Sequence, residues 1–435
     1  MNDRTAPVET EIEDTLAQAL GEAATRLNNA TAPVVHPSLL EAVESTDVLA
    51  GAHAALALHG LARGLDELVQ ADGRFPAGHQ VFIRTANGST NFKWRLGEKL
   101  LLEAAKRGSS SAAIDWALQV LQTKSATGHT ICPVWGISID EPVDLHAGMK
   151  LVPLNQVPQS RQLRWLEYQQ ATGGSGLITS TLAWQEIKAA LILPREIKEL
   201  ISLEPLSENE QQADSVEFQR VEDLFNDATL ALTMVGPQPV IPVAKWFTFD
   251  DPELELAAGG GQRLTRLHEI LPRQIPAHKV FDGALAKQVV GDFLAMDVKS
   301  KARKTIGLAL ARLQQAMTRH SLGDAAVELS IALEALCGDE SSTTEMTHKV
   351  TLRAVRFLGG DAAQRRHNFD LIKKMYGIRS KLVHRGAQPT GSYKVGAEDL
   401  TAATVMNRSI ALCAELIRKL LAGRAIPDWT EIEIL

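Results

Sequence analysis

The sequence predicts a mainly α-helical protein with a mixed α+β middle region and a C-terminal antiparallel α-helical bundle. Three observations carry this reading. Aromatic residues make up only 5% of the 435 residues, while Ala and Leu are abundant, a balance that favours helices over a β sandwich. Apolar residues recur at helical spacing through roughly the first 125 residues and again from about position 283. Between those stretches, short β-rich runs are separated by Asp, Pro and Gly. The expected division is an N-terminal helical region over 1–125, a strand-containing domain with a sensing or regulatory role over 126–280, and a helical domain over 281–435.

Taken in order, residues 9–30 and 38–70 read as helices. The second contains EAVESTDVLAGAHAALALHGLARGLDELVQ, with few β-branched residues. DGRFPAG (72–78) is a turn, and helices follow around 94–106 and 111–123. TICPVWGISID and MKLVPLNQV read as strands. LITSTLAWQEIKAALIL (177–193) begins like a strand and continues as strand or helix. VEDLFNDATLALTM starts helical, and VGPQPVIPVAKWFTF turns extended. From 283 the segments around ALAKQVVGDFLAMDV, KTIGLALARLQQAMTRH, SLGDAAVELSIALEALCG, STTEMTHKVTLRAVRFLGG, AAQRRHNFDLIKKMYGIRSKLVH and AEDLTAATVMNRSIALCAELIRKLLAG read as successive helices. Asp324 suits a helix N-terminus. Ser342 to Glu345 forms a capping-box pattern, and Gly359, Gly360 and Gly423 are stop signals. Connections are short apart from a 386–397 loop, so an antiparallel bundle is the economical arrangement.

Composition limits function. Three well-separated cysteines, Cys132, Cys337 and Cys413, cannot form a disulfide framework or a four-ligand zinc site alone. The polar, acidic start MNDRTAPVETEIEDT is unlike a secretory leader, and no run reaches the ~18 apolar residues of a membrane span. A cytoplasmic protein is expected. His53 and His59 lack a third ligand, and the HTIC pair His129 and Cys132 lacks a second half, so no metal or cofactor is expected. The glycine runs at 171–176 and 259–261 lack the Gly-Lys-Ser/Thr ending of a phosphate loop and read as loops. Net charge is −7 overall, yet residues 301–424 hold 20 Lys and Arg against 11 Asp and Glu, a net of +9. Polyanion contact is therefore expected to be local to the C-terminal module.

The chemistry concentrates in MYGIRSKLVHRG (375–386). Leu371, Met375, Ile378 and Leu382 follow the spacing of a buried helix face, and Gly386 and Pro389 end the helix. Arg379 and His384 stand five positions apart near that end. A guanidinium stays charged and offers paired donors to phosphate oxygens, while imidazole exchanges protons near neutral pH. Together they suit RNA cleavage in which the 2′-hydroxyl attacks its own phosphate, a reaction DNA cannot undergo. At ~100° per residue the two side chains are about 140° apart around one helix. Convergence needs either fraying before His384 or two copies meeting across a two-fold axis.

The last ~150 residues resemble an Apea-like HEPN domain. IRSKLVHRG (378–386) is similar to that group's Arg-Ser-x-x-x-His-Gly segment, and IALEALCG with TEMTHKVTLRAVRFLGG resembles its Ala-Leu-Glu-x-Leu and Leu-Arg helices. GISIDEPVDLHAGMKLVPL is similar to the region that precedes such domains. The resemblance implies a helical, dimerising domain and a metal-independent endoribonuclease of anti-phage defence, toxin or RNA-processing systems. It makes Arg379 the phosphate ligand, His384 the catalytic or positioning histidine, Ser380 the polar neighbour and Glu334 the residue that orients the arginine or holds the bundle. Lys381 and Arg385 are the accompanying RNA contacts. RNA, a second copy of the chain and a phage-derived or protein trigger read by residues 1–280 are the expected partners. The alternative is a non-catalytic HEPN module that dimerises and binds RNA or a protein partner.

Overall fold

The computed structural model describes residues 14–30, 48–78, 80–86, 88–160, 162–164, 166–167, 187–258, 263–264, 279–338, 346–386 and 389–434. The expected helical starts at 9–13 and 38–47, most of 177–193, both glycine runs and the Ser342–Glu345 capping box lie outside them. Among the described residues the protein is mainly helical with a mixed α+β region.

The N-terminal layer holds α1 (Thr15–Ala30), α2 (Val48–Ala71), α3 (Leu96–Arg107) and α4 (Ser110–Gln122). Leu20, Leu100, Leu101, Phe92 and Trp116 are buried in its core. One feature was not expected there. β1 (Phe82–Thr85) and β2 (Gly88–Asn91) form an antiparallel hairpin between α2 and α3. Two four-residue strands offer too few alternations to stand out in the sequence.

The middle region is built on β3 (Ala126–Trp135), followed by β4 (Ile137–Ser138), β5 (Val143–Asp144), β6 (Lys150–Pro153), β7 (Ala189–Ile197), β8 (Ile201–Ser202), β9 (Ile241–Pro242), β10 (Ala244–Phe249), β11 (Arg263–Leu264) and β12 (Lys279–Val280). The main sheet runs β11-β10-β3-β7-β6-β5, and β9 also pairs with β3. Side chains alternate between faces as a strand requires. Cys132 and Val134 of β3 share one core with Leu191 of β7, while Ile131 and Trp135 share the opposite core with Ala190 and Ile192. β8 leaves this sheet to pair with β1. Between β8 and β9 lies α5 (Glu208–Leu232), which begins well before the helical signal at 221. A reciprocal capping box between Ser207 and Glu210 starts it.

The C-terminal helices are α6 (Gly283–Leu294), α7 (Lys301–Thr318), α8 (Leu322–Cys337), α9 (Met346–Leu358), α10 (Ala362–Arg385), α11 (Ala402–Gly423) and α12 (Trp429–Ile434). The starts of α7, α8, α10 and α11 are each capped by a side-chain oxygen, from Ser300, Ser321, Asp361 and Thr401 in turn; such a cap satisfies an amide the helix itself leaves open. The expected 386–397 loop instead contains β13 (Ser392–Val395), paired with β14 (Glu398–Thr401). Tyr393, Val395 and Leu400 of this hairpin are buried against the helices. The predicted stop at Gly423 falls one residue early, because Arg424 adopts the left-handed cap. α12 was not anticipated. It docks through Trp429, whose ring meets Phe357 at 5.7 Å, and through Glu433, which accepts from Arg353 at 2.7 Å.

One apolar core continues from Cys132 and Leu191 of the sheet through Phe225 and Phe293 into Leu329, Met375 and Leu416. Polar ties cross the same boundary. Arg303 of α7 is buried, pairs with Asp227 of α5 at 2.5 Å and stacks on Phe293 at 3.4 Å. Arg418 of α11 donates to the Met234 carbonyl at 2.7 Å. The helices that carry the Arg/His segment therefore rest on the sheet region.

Candidate functional site: the C-terminal end of α10

α10 forms because its sequence satisfies a long helix at both ends. Asp361 caps the start by accepting from the Gln364 amide at 2.8 Å. Leu371, Ile372, Met375, Tyr376 and Ile378 bury one face. Gly386, at φ 60°, closes the helix in the left-handed conformation, and its amide donates to Leu382 and Lys381 carbonyls. The helix is regular through Arg385. The helix does not fray before His384 in this structure, and Arg379 and His384 lie about 140° apart on one cylinder. A single chain does not bring them onto one phosphate.

Arg379 lies on the flank where α10 meets α8. Its Nη1 donates to Glu334 Oε1 at 3.3 Å, with side-chain exposures of 36% and 29%. The guanidinium carbon also sits 5.9 Å from the centre of the Tyr376 ring. Burial, and then the negative charge of Glu334, push the Tyr376 phenol far above its ordinary range, with Arg379 opposing. Tyr376 is therefore a neutral wall beside a carboxylate and a cation. A guanidinium has five N–H donors in a fixed fork, so a partly exposed one held by a single carboxylate contact keeps donors for a phosphate.

His384, Ser380, Lys381 and Arg385 are all exposed. His384 makes no hydrogen bond or ion pair among the described residues. Lys381 leans on Tyr393 of β13, with Nζ 5.0 Å from the ring centre. The structure brings Arg379 and Glu334 together and leaves His384 turned away from both.

Two features escaped the sequence reading. Tyr376 completes the Arg379–Glu334 contact. Arg366 and Lys373 are exposed and lie seven residues apart on the face that continues to Ser380 and His384, making a basic stripe that ends at the histidine. The 366, 373, 380, 384 spacing was the available signal.

The metal readings resolve into ordinary partners. His129 Nδ1 lies 2.8 Å from Asp250 Oδ1, and Cys132, an odd number of residues away on β3, faces the opposite side. His59 Nδ1 meets Arg95 Nη2 at 3.3 Å. Cys132, Cys337 and Cys413 are fully buried, and burial raises all three thiols, Cys132 and Cys413 to about 12. Among the described residues, no helix is long and apolar enough to cross a membrane. Comparisons with protein-family models, curated proteins and solved structures find no match for the chain.

Proposed function

We propose that the chain is a dimeric, metal-independent endoribonuclease of HEPN type, serving anti-phage defence or acting as a toxin. One observation carries the reading. A guanidinium anchored on one flank of α10 and an exposed imidazole on another, without a partner among the described residues, occupy the end of the same unbroken helix. Two α10 ends related by a two-fold axis supply the arginine of one copy and the histidine of the other to one cleft. Arg379 then stabilises the charge that builds on the scissile phosphate. His384 takes the proton from the 2′-hydroxyl or gives one to the leaving oxygen. Glu334 orients Arg379, Ser380 stands beside it as a polar neighbour, and Lys381 and Arg385 meet flanking phosphates. On this reading the helices from α7 to α11 are a HEPN-like antiparallel bundle, and residues 1–280 sense the trigger.

The test is cleavage of total RNA in EDTA by the full chain, beside Arg379→Ala and His384→Ala. Cleavage by the parent alone is expected. Equal cleavage by all three chains sinks the assignment to this site. A second reading, a non-catalytic module that dimerises and binds RNA or a protein, is favoured by the Arg379–Glu334 pair and by Ser380, where many active relatives of the resembled group carry Asn, Asp or His. It predicts salt-sensitive RNA retention or partner capture, without cleavage under any activating condition.

A further inference from the structure

α7 and α10 both pack against α8, and arginines meet a carboxylate of α8 on each side. Glu334 holds Arg379 of α10. On the α7 side Glu328, with a side chain only 7% exposed, accepts from Arg312 Nη1 at 2.9 Å and from Arg319 Nε at 3.0 Å, and Arg319 Nη2 joins the same oxygen as Nε. Burial acts to raise the Glu328 carboxyl, but the hydrogen bonds from Arg319 and Arg312 outweigh it and hold the group below its ordinary range. One ionised carboxylate thus faces two cations. The two arginine side chains remain 35% and 48% exposed. Arg312 Nη1 also donates to Gln315 Oε1 at 3.0 Å. Nε and Nη2 of Arg312, and Nη1 of Arg319, have no hydrogen bond among the described residues. They are open donors on forks that the carboxylate already holds in place.

Glu328 and Glu334 are about 9 Å apart along α8 and about 120° apart around it. Asp324, Val327, Ile331 and Ala335, which reach solvent, fall between them. A stripe one helix wide, with half-buried Val327 and Ile331 at its middle, is therefore bordered by Arg379 on the α10 side and by Arg312 and Arg319 on the α7 side.

We propose that this stripe is the track of a single RNA strand, with Arg312 and Arg319 as a second phosphate subsite beside Arg379. The proposal rests on the ribonuclease reading of α10 and deepens it by giving the substrate a path. A small anion uses one arginine border, whereas a chain of phosphates uses both. The stripe is about 10 Å wide, room for one strand whose bases lie over the apolar middle. An acidic peptide meets the same charges but brings no flat apolar faces to that surface.

The experiment is fluorescence anisotropy of a labelled 2′-O-methyl oligouridine, which lacks the attacking hydroxyl, titrated with the full chain over a range of salt. Arg312→Gln and Arg319→Gln should each lower the slope of log affinity against log salt by about 0.7, a loss of about fivefold over a tenfold fall in salt. Both should melt within a few degrees of the parent, because the remaining arginine still neutralises Glu328. Lys124→Ala removes an exposed cation outside the C-terminal helices and should leave the slope unchanged. A parent that binds the oligomer with a slope that neither arginine variant changes overturns the track and leaves the cleavage reading standing. A parent that does not bind it overturns both. The track also falls if Lys124→Ala lowers the slope equally, or if polyglutamate displaces the oligomer as well as unlabelled RNA does.

Discussion

Arg379 Nη1 reaches Glu334 Oε1 across 3.3 Å, joining the end of α10 to the last turn of α8. Both side chains are about one-third exposed, and solvent screening holds such a pair to ~0–1 kcal/mol of stability. On the nuclease reading its use is positional. Glu334→Gln should leave the melting temperature within a few degrees of the parent yet lower RNA turnover about tenfold at unchanged KM. Arg379→Ala should lower it by about 10²–10³, the loss expected when a donor to developing charge is removed. Turnover assays beside thermal melts check both, and a large melting shift with unchanged turnover would assign the pair to folding alone.

Because α10 is continuous through Arg385, a composite site must draw Arg379 and His384 from different chains. Mixing Arg379→Ala with His384→Ala protein should then restore activity that neither has alone. Random reassortment makes half the dimers mixed, and each mixed dimer carries one intact pair, so about one quarter of parental activity is expected. No recovery after subunit exchange would place the pair within one chain or end the nuclease reading.

Most of α10 was legible because a helix writes itself locally. The apolar stripe from Leu371 to Ile378 repeats within two turns, and Gly386 marks the stop beside it. What the sequence hid was short or distant. The strands of the 82–91 and 392–401 hairpins are four residues each, too brief for a pattern. Partners such as Asp250 for His129 and Glu433 for Arg353 come from far along the chain, where no spacing rule reaches. The early start of α5 was written in Ser207 and Glu210, a polar signal outweighed by the apolar stretch that follows. The dihedral offset of Arg379 and His384 was readable; only the intact helix end shows that fraying does not remove it.

Gly323 sets how closely α8 and α10 approach at the site. A Cβ there would lie 2.8 Å from Leu382 Cδ2 and 3.0 Å from Leu382 Cβ. Gly323→Ala gains up to ~1 kcal/mol in helix propensity but overpacks this contact, at a cost of ~1–3 kcal/mol. A small net loss is expected. In the Leu382→Ala background the same substitution should become neutral or stabilising, giving a coupling of about 1 kcal/mol or more in a double-mutant denaturation cycle. Additive effects would mean that the helices adjust without strain. Since Leu382 lies between Arg379 and His384, the single Gly323 variant should also slow RNA cleavage while Leu382→Ala, in the Gly323→Ala background, partly restores it.

Lys99, on α3, gives the fold a distinct alkaline response. Its Nζ donates to the Phe92 carbonyl at 3.1 Å and the Ala257 carbonyl at 3.2 Å. Burial lowers it from the ordinary 10.5 to about 8, with Glu98 and Asp66 opposing. Below pH 8 the amine is charged in folded and unfolded chains alike, and the folded state bears the full desolvation cost. Between about 8 and 10.5 the unfolded chain holds a proton that the folded chain has released, so raising the pH favours folding. That window corresponds to a gain of up to about 3 kcal/mol. Lys99→Met loses both carbonyl contacts, a deficit independent of pH, and lacks the titration. The stability of the parent relative to this variant, measured by urea denaturation from pH 7 to 10.5, should therefore rise with pH. Parallel curves would mean that the carbonyls and carboxylates stabilise the charged amine as well as water does.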